Sequence, residues 1–168
     1  MLCVIAKLSD TAARELDMVK EKVFNTIGLK PLYGHITIAT YIGKDEPGFI
    51  RSCREMVEGI SSFTVEYEKI EVLEETSIIV ASPKKSGLLE SIHQNIAETF
   101  NDALDKWTGI GVWYPHTTLF YGPGENLYEI SRRMSDTFTP FSARVTAIEF
   151  SRVLESGYDV IDHIELLD

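Results

Sequence analysis

The chain reads as an α+β fold made from a pseudo-twofold duplicated unit, and three observations point there. Strand-type and helix-type apolar periodicities alternate along its 168 residues, with paired strands closing each half. The order of these runs repeats at about half the chain length. Two short segments, His35-Ile36-Thr37-Ile38 and His116-Thr117-Thr118-Leu119, carry the same His-x-Thr-apolar pattern 81 residues apart.

The elements follow in order. Cys3 to Leu8 is a continuous apolar run of buried-strand type. Ser9 or Asp10 caps a helix over Thr11 to Ile27, whose Ala12, Leu16, Val19, Val23 and Ile27 fall on one side, and Gly28 stops it. Leu29 to Gly34 is a loop around Pro31. His35 to Ile42 is a strand, Gly43 to Gly48 a turn, and Phe49 to Ile60 a second helix. Phe63 to Leu73 and Ser77 to Ala81 form a hairpin about Glu74-Glu75-Thr76.

Pro83 opens a long helix to about Lys106, with Leu88, Leu89, Ile92, Ile96, Phe100 and Leu104 aligned. Trp107 to Pro115 is a loop, His116 to Tyr121 a strand ended by the turn Gly122-Pro123-Gly124, and Leu127 to Met134 a short helix. Phe141 to Leu154 and Tyr158 to Leu167 close the chain as a hairpin about Glu155-Ser156-Gly157.

Residue matches support the repeated order. Phe63 with Ile70-Glu71-Val72 corresponds to Phe141 with Ile148-Glu149-Phe150 at an offset of 78, and Tyr33 and Tyr114 each precede a motif histidine by two. The whole chain, 1–168, is expected to form one domain, with halves near 1–82 and 83–168 that can exchange strands.

Composition narrows the function. With 44% apolar residues the chain can build a core. The formal charge of −10 argues against a protein that grips long nucleic acid, which needs a basic surface, but leaves room for a small phosphorylated ligand. No run reaches membrane-spanning length, and the N-terminal apolar run is too short for a signal peptide, so a cytoplasmic protein and no membrane partner are expected. Cys3 and Cys53 have no metal or disulfide spacing and read as reduced thiols in a strand and a helix.

On a strand, residues two apart share a face at roughly 6.5 to 7 Å. His35 and Thr37 therefore project together, as do His116 and Thr118. Ala39 falls on the same side as His35, and Ile36, Ile38 and Ile42 on the core side. Thr117 is an anomaly among the core-side residues of its strand. Two such strands facing each other would put two imidazoles and two hydroxyls in one cleft. One neutral and one protonated imidazole can act as base and acid on a phosphodiester, and threonine hydroxyls can donate to its non-bridging oxygens. This scheme requires no metal.

The two motifs resemble those that name the 2H phosphoesterase superfamily. His35-Ile-Thr-Ile-Ala-Thr-Tyr-Ile-Gly is similar to the first motif of its 2′-5′ RNA ligase and RNA 2′,3′-cyclic phosphodiesterase branch, and Pro115-His116-Thr-Thr-Leu to the second. The resemblance implies a bilobal fold with antiparallel sheets lining a central cleft and helices outside. It implies a phosphoric diester hydrolase acting on 2′,3′-cyclic phosphates or related small cyclic phosphodiesters. His35 and His116 become the acid–base pair, and Thr37 and Thr118 the phosphate-binding residues. The alternatives are 2′-5′ RNA ligation and a non-catalytic nucleotide-binding module. RNA-handling members are expected to carry a basic cleft rim, for which Lys7, Lys30 and Lys44 are the nearest residues here.

Tyr33 and Tyr114, with Trp113, are loop aromatics beside the motifs; Tyr33 and Tyr114 are candidates for substrate stacking, with loop packing the alternative. His93 and His163 read as structural or solvent-facing, and the acidic stretch Glu66 to Glu75 as a solvated hairpin face. The expected partner is a small nucleotide or an RNA-terminal cyclic phosphate, the expected state a monomer, and no cofactor or metal is expected.

Overall fold

The computed structural model describes residues 1–24, 33–73, 75–123, 125–154 and 157–168. The predicted helix stop at Gly28, the loop around Pro31, Lys30, and parts of three turns (Glu74, Gly124, Glu155 and Ser156) lie outside the described residues.

Among the described residues, seven strands form one antiparallel sheet. The strands are β1 (Leu2–Leu8), β2 (His35–Tyr41), β3 (Phe63–Val72), β4 (Ile78–Pro83), β5 (Thr117–Tyr121), β6 (Phe141–Leu154) and β7 (Gly157–Glu165). The long β6 is the spine. Along one edge its residues 145–152 pair with β1; along the other, 141–145 pair with β3 and 147–154 with β7. β2 extends the sheet from β1, and β4 then β5 extend it from β3, so the two motif strands end its two arms. Strands from both halves of the sequence thus share one sheet.

Helices α1 (Asp10–Phe24), α2 (Glu46–Val57), α3 (Gly87–Phe100) and α4 (Leu127–Thr137) cover it. α1 packs on α4, α4 on β3, α3 on β2 and α2 on α3. Each buries an amphipathic stripe, such as Leu16, Val19 and Val23 of α1 and Leu89, Ile92 and Ile96 of α3. These meet Leu2, Val4, Ala6 and Leu8 of β1 in one core cluster. Ile5, Val80 and Ala147 are also buried but stand outside that cluster, because strand alternation turns them to the other face.

Several boundaries differ from the periodicity. The helix predicted from Pro83 begins at Gly87, because Pro83 is still paired to Tyr67 at the end of β4. It stops at Phe100, after which a 3₁₀ turn, Asn101–Ala103, leads to Leu104, which bridges to Tyr41. α2 starts earlier than predicted, since Asp45 caps it by accepting from the Gly48 amide at 2.9 Å. Asn126 does the same for α4, which runs three residues further than expected. Ile42, assigned to the core face, lies past the end of β2 and is 58% exposed.

Both motif strands break register at the same motif position. Val4 pairs with Ala39 and Ile5 with Thr37, leaving Ile38 as the extra residue. Ile79 pairs with Phe120 and Val80 with Thr118, leaving Leu119. Each bulge falls three residues after its histidine. It keeps His and Thr on one face and re-aims the residues beyond them, so Ala39, expected beside Thr37, is instead buried in the core.

Candidate active site

Residue rows across the sheet place the motifs in matching surroundings. Thr37 lies opposite Ile5, which lies opposite Glu149. Thr118 lies opposite Val80, which lies opposite Glu71. Each motif threonine is therefore two strands from a glutamate across one buried aliphatic residue. Thr37 is half-buried and Thr118 exposed, so both hydroxyls reach the solvent side.

The histidines are held alike. His35 Nδ1 is 2.7 Å from the Tyr33 carbonyl, and His116 Nδ1 is 2.8 Å from the Tyr114 carbonyl. A carbonyl oxygen can only accept, so each Nδ1 carries the proton and each neutral ring keeps its lone pair on Nε2. Gly34 allows the first of these loops to pack closely. A Cβ there would meet the Cβ of Ala13 on α1 at 2.6 Å, while its carbonyl accepts from the Leu8 amide at 2.8 Å.

The two motifs touch. The Thr117 hydroxyl donates to the His35 carbonyl at 2.8 Å and also bonds the buried Tyr67 hydroxyl. This accounts for the threonine in a core-facing slot: Thr117 is 1% exposed, and its hydroxyl ties β5 to β2. Burial, and then the nearby His116, lower the pKa of His35 to about 4. Burial also lowers His116, against the opposing pull of the Tyr114 carbonyl and the Glu71 charge.

The tyrosines expected to stack on substrate have their hydroxyls engaged. Tyr33 donates to Glu149, and Tyr114 donates to Glu71. Glu149 is 5% exposed and sits 3.4 Å from Lys7, itself paired with His35 across the β1–β2 ladder. Glu71 also accepts from Ser82 at 2.6 Å and Lys69 at 2.7 Å. Burial raises its pKa, but these donors and Tyr114 outweigh that and leave it lowered. The acidic hairpin face predicted from Glu66 to Glu75 is thus not uniformly solvated, because Glu71 turns into this network. Of the lysines proposed for a basic rim, Lys7 is at the site, and Lys44 lies beyond the far end of β2.

Tyr158, which the sequence does not single out, and Trp113 and His93, which it does, complete the surroundings. The Tyr158 ring stacks on Tyr33 at 5.8 Å and meets the edge of His35 at 5.0 Å. Behind β2, the Trp113 indole N–H donates to the Thr37 carbonyl at 2.8 Å, and His93 Nδ1 bonds the bulged Ile38 carbonyl at 2.9 Å. The His93 and Trp113 rings stack at 4.1 Å, so His93 is structural and buried. The two glutamates also left a trace in the sequence, as matched Ile-Glu-aliphatic and Ile-Glu-aromatic triplets. Cys3 and Cys53 are free and buried. Among the described residues no group of three or more His, Cys, Asp or Glu is placed to hold a metal ion, and no helix is long and apolar enough to cross a membrane. A groove of about 770 Å³ between α2 and β7 contains neither motif.

Comparison with known proteins agrees with this architecture. A sequence model of the 2′-5′ RNA ligase superfamily matches residues 8–156. No curated protein matches by sequence. Crystal structures of LigT from E. coli, here complexed with 3′-AMP, and of TT0787 from Thermus thermophilus share the fold. LigT is 14% identical with a TM-score of 0.66, over 99% of this chain and 97% of that one. TT0787 is 17% identical with a TM-score of 0.67, over 98% and 97%. A further structure described as a phosphoesterase is 13% identical at 0.67, over 99% and 98%. With the family pattern spanning most of its length and both motifs in place, the chain belongs to the 2′-5′ RNA ligase superfamily, the 2H phosphoesterases that its motifs resemble.

Proposed function

We propose that this protein is a metal-independent phosphodiesterase that opens 2′,3′-cyclic phosphates, or related small cyclic phosphodiesters, by two-histidine acid–base catalysis. The observation that carries the reading is the matched tethering of His35 and His116. Each Nδ1–H is bound to a carbonyl, which leaves each Nε2 to face the reaction. Family membership supports it, and the crystal structures of E. coli LigT complexed with 3′-AMP, NADP+ and ATP are in keeping with a small nucleotide as the ligand.

In this reading one neutral imidazole takes a proton from water as the water oxygen attacks phosphorus. The other, protonated, gives its proton to the ribose oxygen as the ring P–O bond breaks. Thr37 and Thr118 donate to the non-bridging oxygens, where charge builds up. His35, held at about 4, is neutral at pH 7 and suits the base. Burial lowers His116 too, but the Tyr114 carbonyl and the Glu71 charge oppose that, so of the two rings His116 is assigned the acid. With a 5′-hydroxyl in place of water attacking phosphorus as the P–O3′ bond breaks, the same groups would form a 2′-5′ linkage, the alternative reading. The working unit is a cytoplasmic monomer using the whole chain as one domain.

The test is turnover of 2′,3′-cyclic nucleotides and a cyclic-phosphate-ended oligonucleotide in EDTA, by wild type and His35→Ala. Hydrolysis that resists EDTA and vanishes in the variant is expected. Hydrolysis abolished by EDTA, or retained by the variant, overturns the mechanism.

A further inference from the structure

Glu71 and Glu149 touch neither motif histidine by hydrogen bond, yet each reaches one through a tyrosine. The links cross the sequence: Glu149 belongs to the second half and holds Tyr33, and Glu71 belongs to the first half and holds Tyr114. Both carboxylates are in turn anchored, Glu149 beside Lys7 and Glu71 by Lys69 and Ser82. The rings of Tyr33 and Tyr114 lie 5.5 and 6.4 Å from their histidines.

Resting on the two-histidine reading above, we propose that Glu71 and Glu149 are positioning residues. Acting through Tyr114 and Tyr33, they fix which nitrogen of His116 and of His35 carries the proton. The chain of causes is short. The carboxylate holds the tyrosine hydroxyl, the held side chain fixes the backbone at that residue, and its carbonyl then sits where only an imidazole Nδ1–H can meet it. An imidazole free of that carbonyl would turn or exchange tautomer, and Nε2 would no longer face phosphorus as an acceptor. A tyrosine whose hydroxyl and carbonyl are both committed is a tether, not a free stacking platform. The glutamates reach the two arms of the sheet at equivalent places, in the same rows as Thr37 and Thr118.

The experiment is long-range ¹H–¹⁵N NMR of the histidine rings at a pH where they are neutral, on wild type, Tyr33→Phe, Tyr114→Phe and Glu71→Gln, with steady-state kinetics on a 2′,3′-cyclic nucleotide alongside. Wild type should show the Nδ1–H form for both His35 and His116. Tyr114→Phe and Glu71→Gln should convert His116 to a tautomer mixture and leave His35 alone, and Tyr33→Phe should do the converse. Each should lower kcat by about 10-fold, with KM changed less than about twofold. An Nε2–H form in wild type, or tautomers unchanged in the phenylalanine variants, overturns the proposal. So does an effect confined to KM, which is the mark of lost stacking. The NMR arm needs no substrate, so it decides the positioning role even if the chosen nucleotide is not turned over.

Discussion

Thr117 holds the carbonyl of His35 at 2.8 Å, so the second motif supports the first through the residue that faces the core. The same hydroxyl bonds Tyr67, which is fully buried and whose pKa burial raises strongly. Replacing it affects stability and site geometry together.

Thr117→Val keeps the shape but leaves the Tyr67 hydroxyl and the His35 carbonyl short of a partner. A loss of about 1–3 kcal/mol is expected in urea unfolding, with a fall in turnover, while Thr117→Ser retains most of both. A valine variant as stable and active as wild type would show that this hydroxyl does not couple the two motifs.

Removing either motif histidine should be severe for chemistry and mild for folding. His35→Ala and His116→Ala are each expected to lower kcat by a factor of about 10² to 10⁴. The circular dichroism spectrum should not change, since both half-buried rings stand outside the hydrophobic core cluster.

Trp113→Phe tests the support behind β2. It removes the donor to the Thr37 carbonyl while keeping an aromatic ring against His93. Stability should fall by about 1 kcal/mol, and turnover should fall more than that of an exposed-site control such as Tyr128→Phe. Equal behaviour of the two variants would show that the indole N–H does not steady Thr37.

Stability should weaken on the acid side. His35 is held at about 4 by burial and then by His116, against an ordinary 6.5, and burial lowers His116 and His93 too. Between the folded and unfolded values the unfolded chain binds more protons, so stability falls as pH drops from 6.5 toward 4, and this contribution is level above about 7. Melting temperatures from pH 7.5 to 4.5 should decline less steeply for His35→Gln than for wild type. Parallel curves would count against the burial effect.

Local patterns were enough for the elements and for the motifs. Alternation and β-branching marked the strands, 3.6-residue periodicity marked the helices, and the repeated His-x-Thr at half-length pointed to a paired site. Boundaries failed where a non-local partner decided them. Pro83 remains a strand residue because Tyr67 pairs with it, and Ala39 leaves the face of Thr37 because a bulge intervenes.

The carboxylates, the role of Thr117 and the stack of His93 on Trp113 depend on residues 43 to 116 positions apart, or on rings meeting across two elements. Periodicity along a chain tells which face a side chain takes, because that depends on backbone geometry at neighbouring residues. It carries no information on which distant strand lies alongside, or in what register. Those were settled only when the long β6 paired with β1 on one edge and with β3 and β7 on the other. That pairing, together with burial and hydrogen-bond satisfaction across the sheet, turned two separate histidine motifs into one tethered pair.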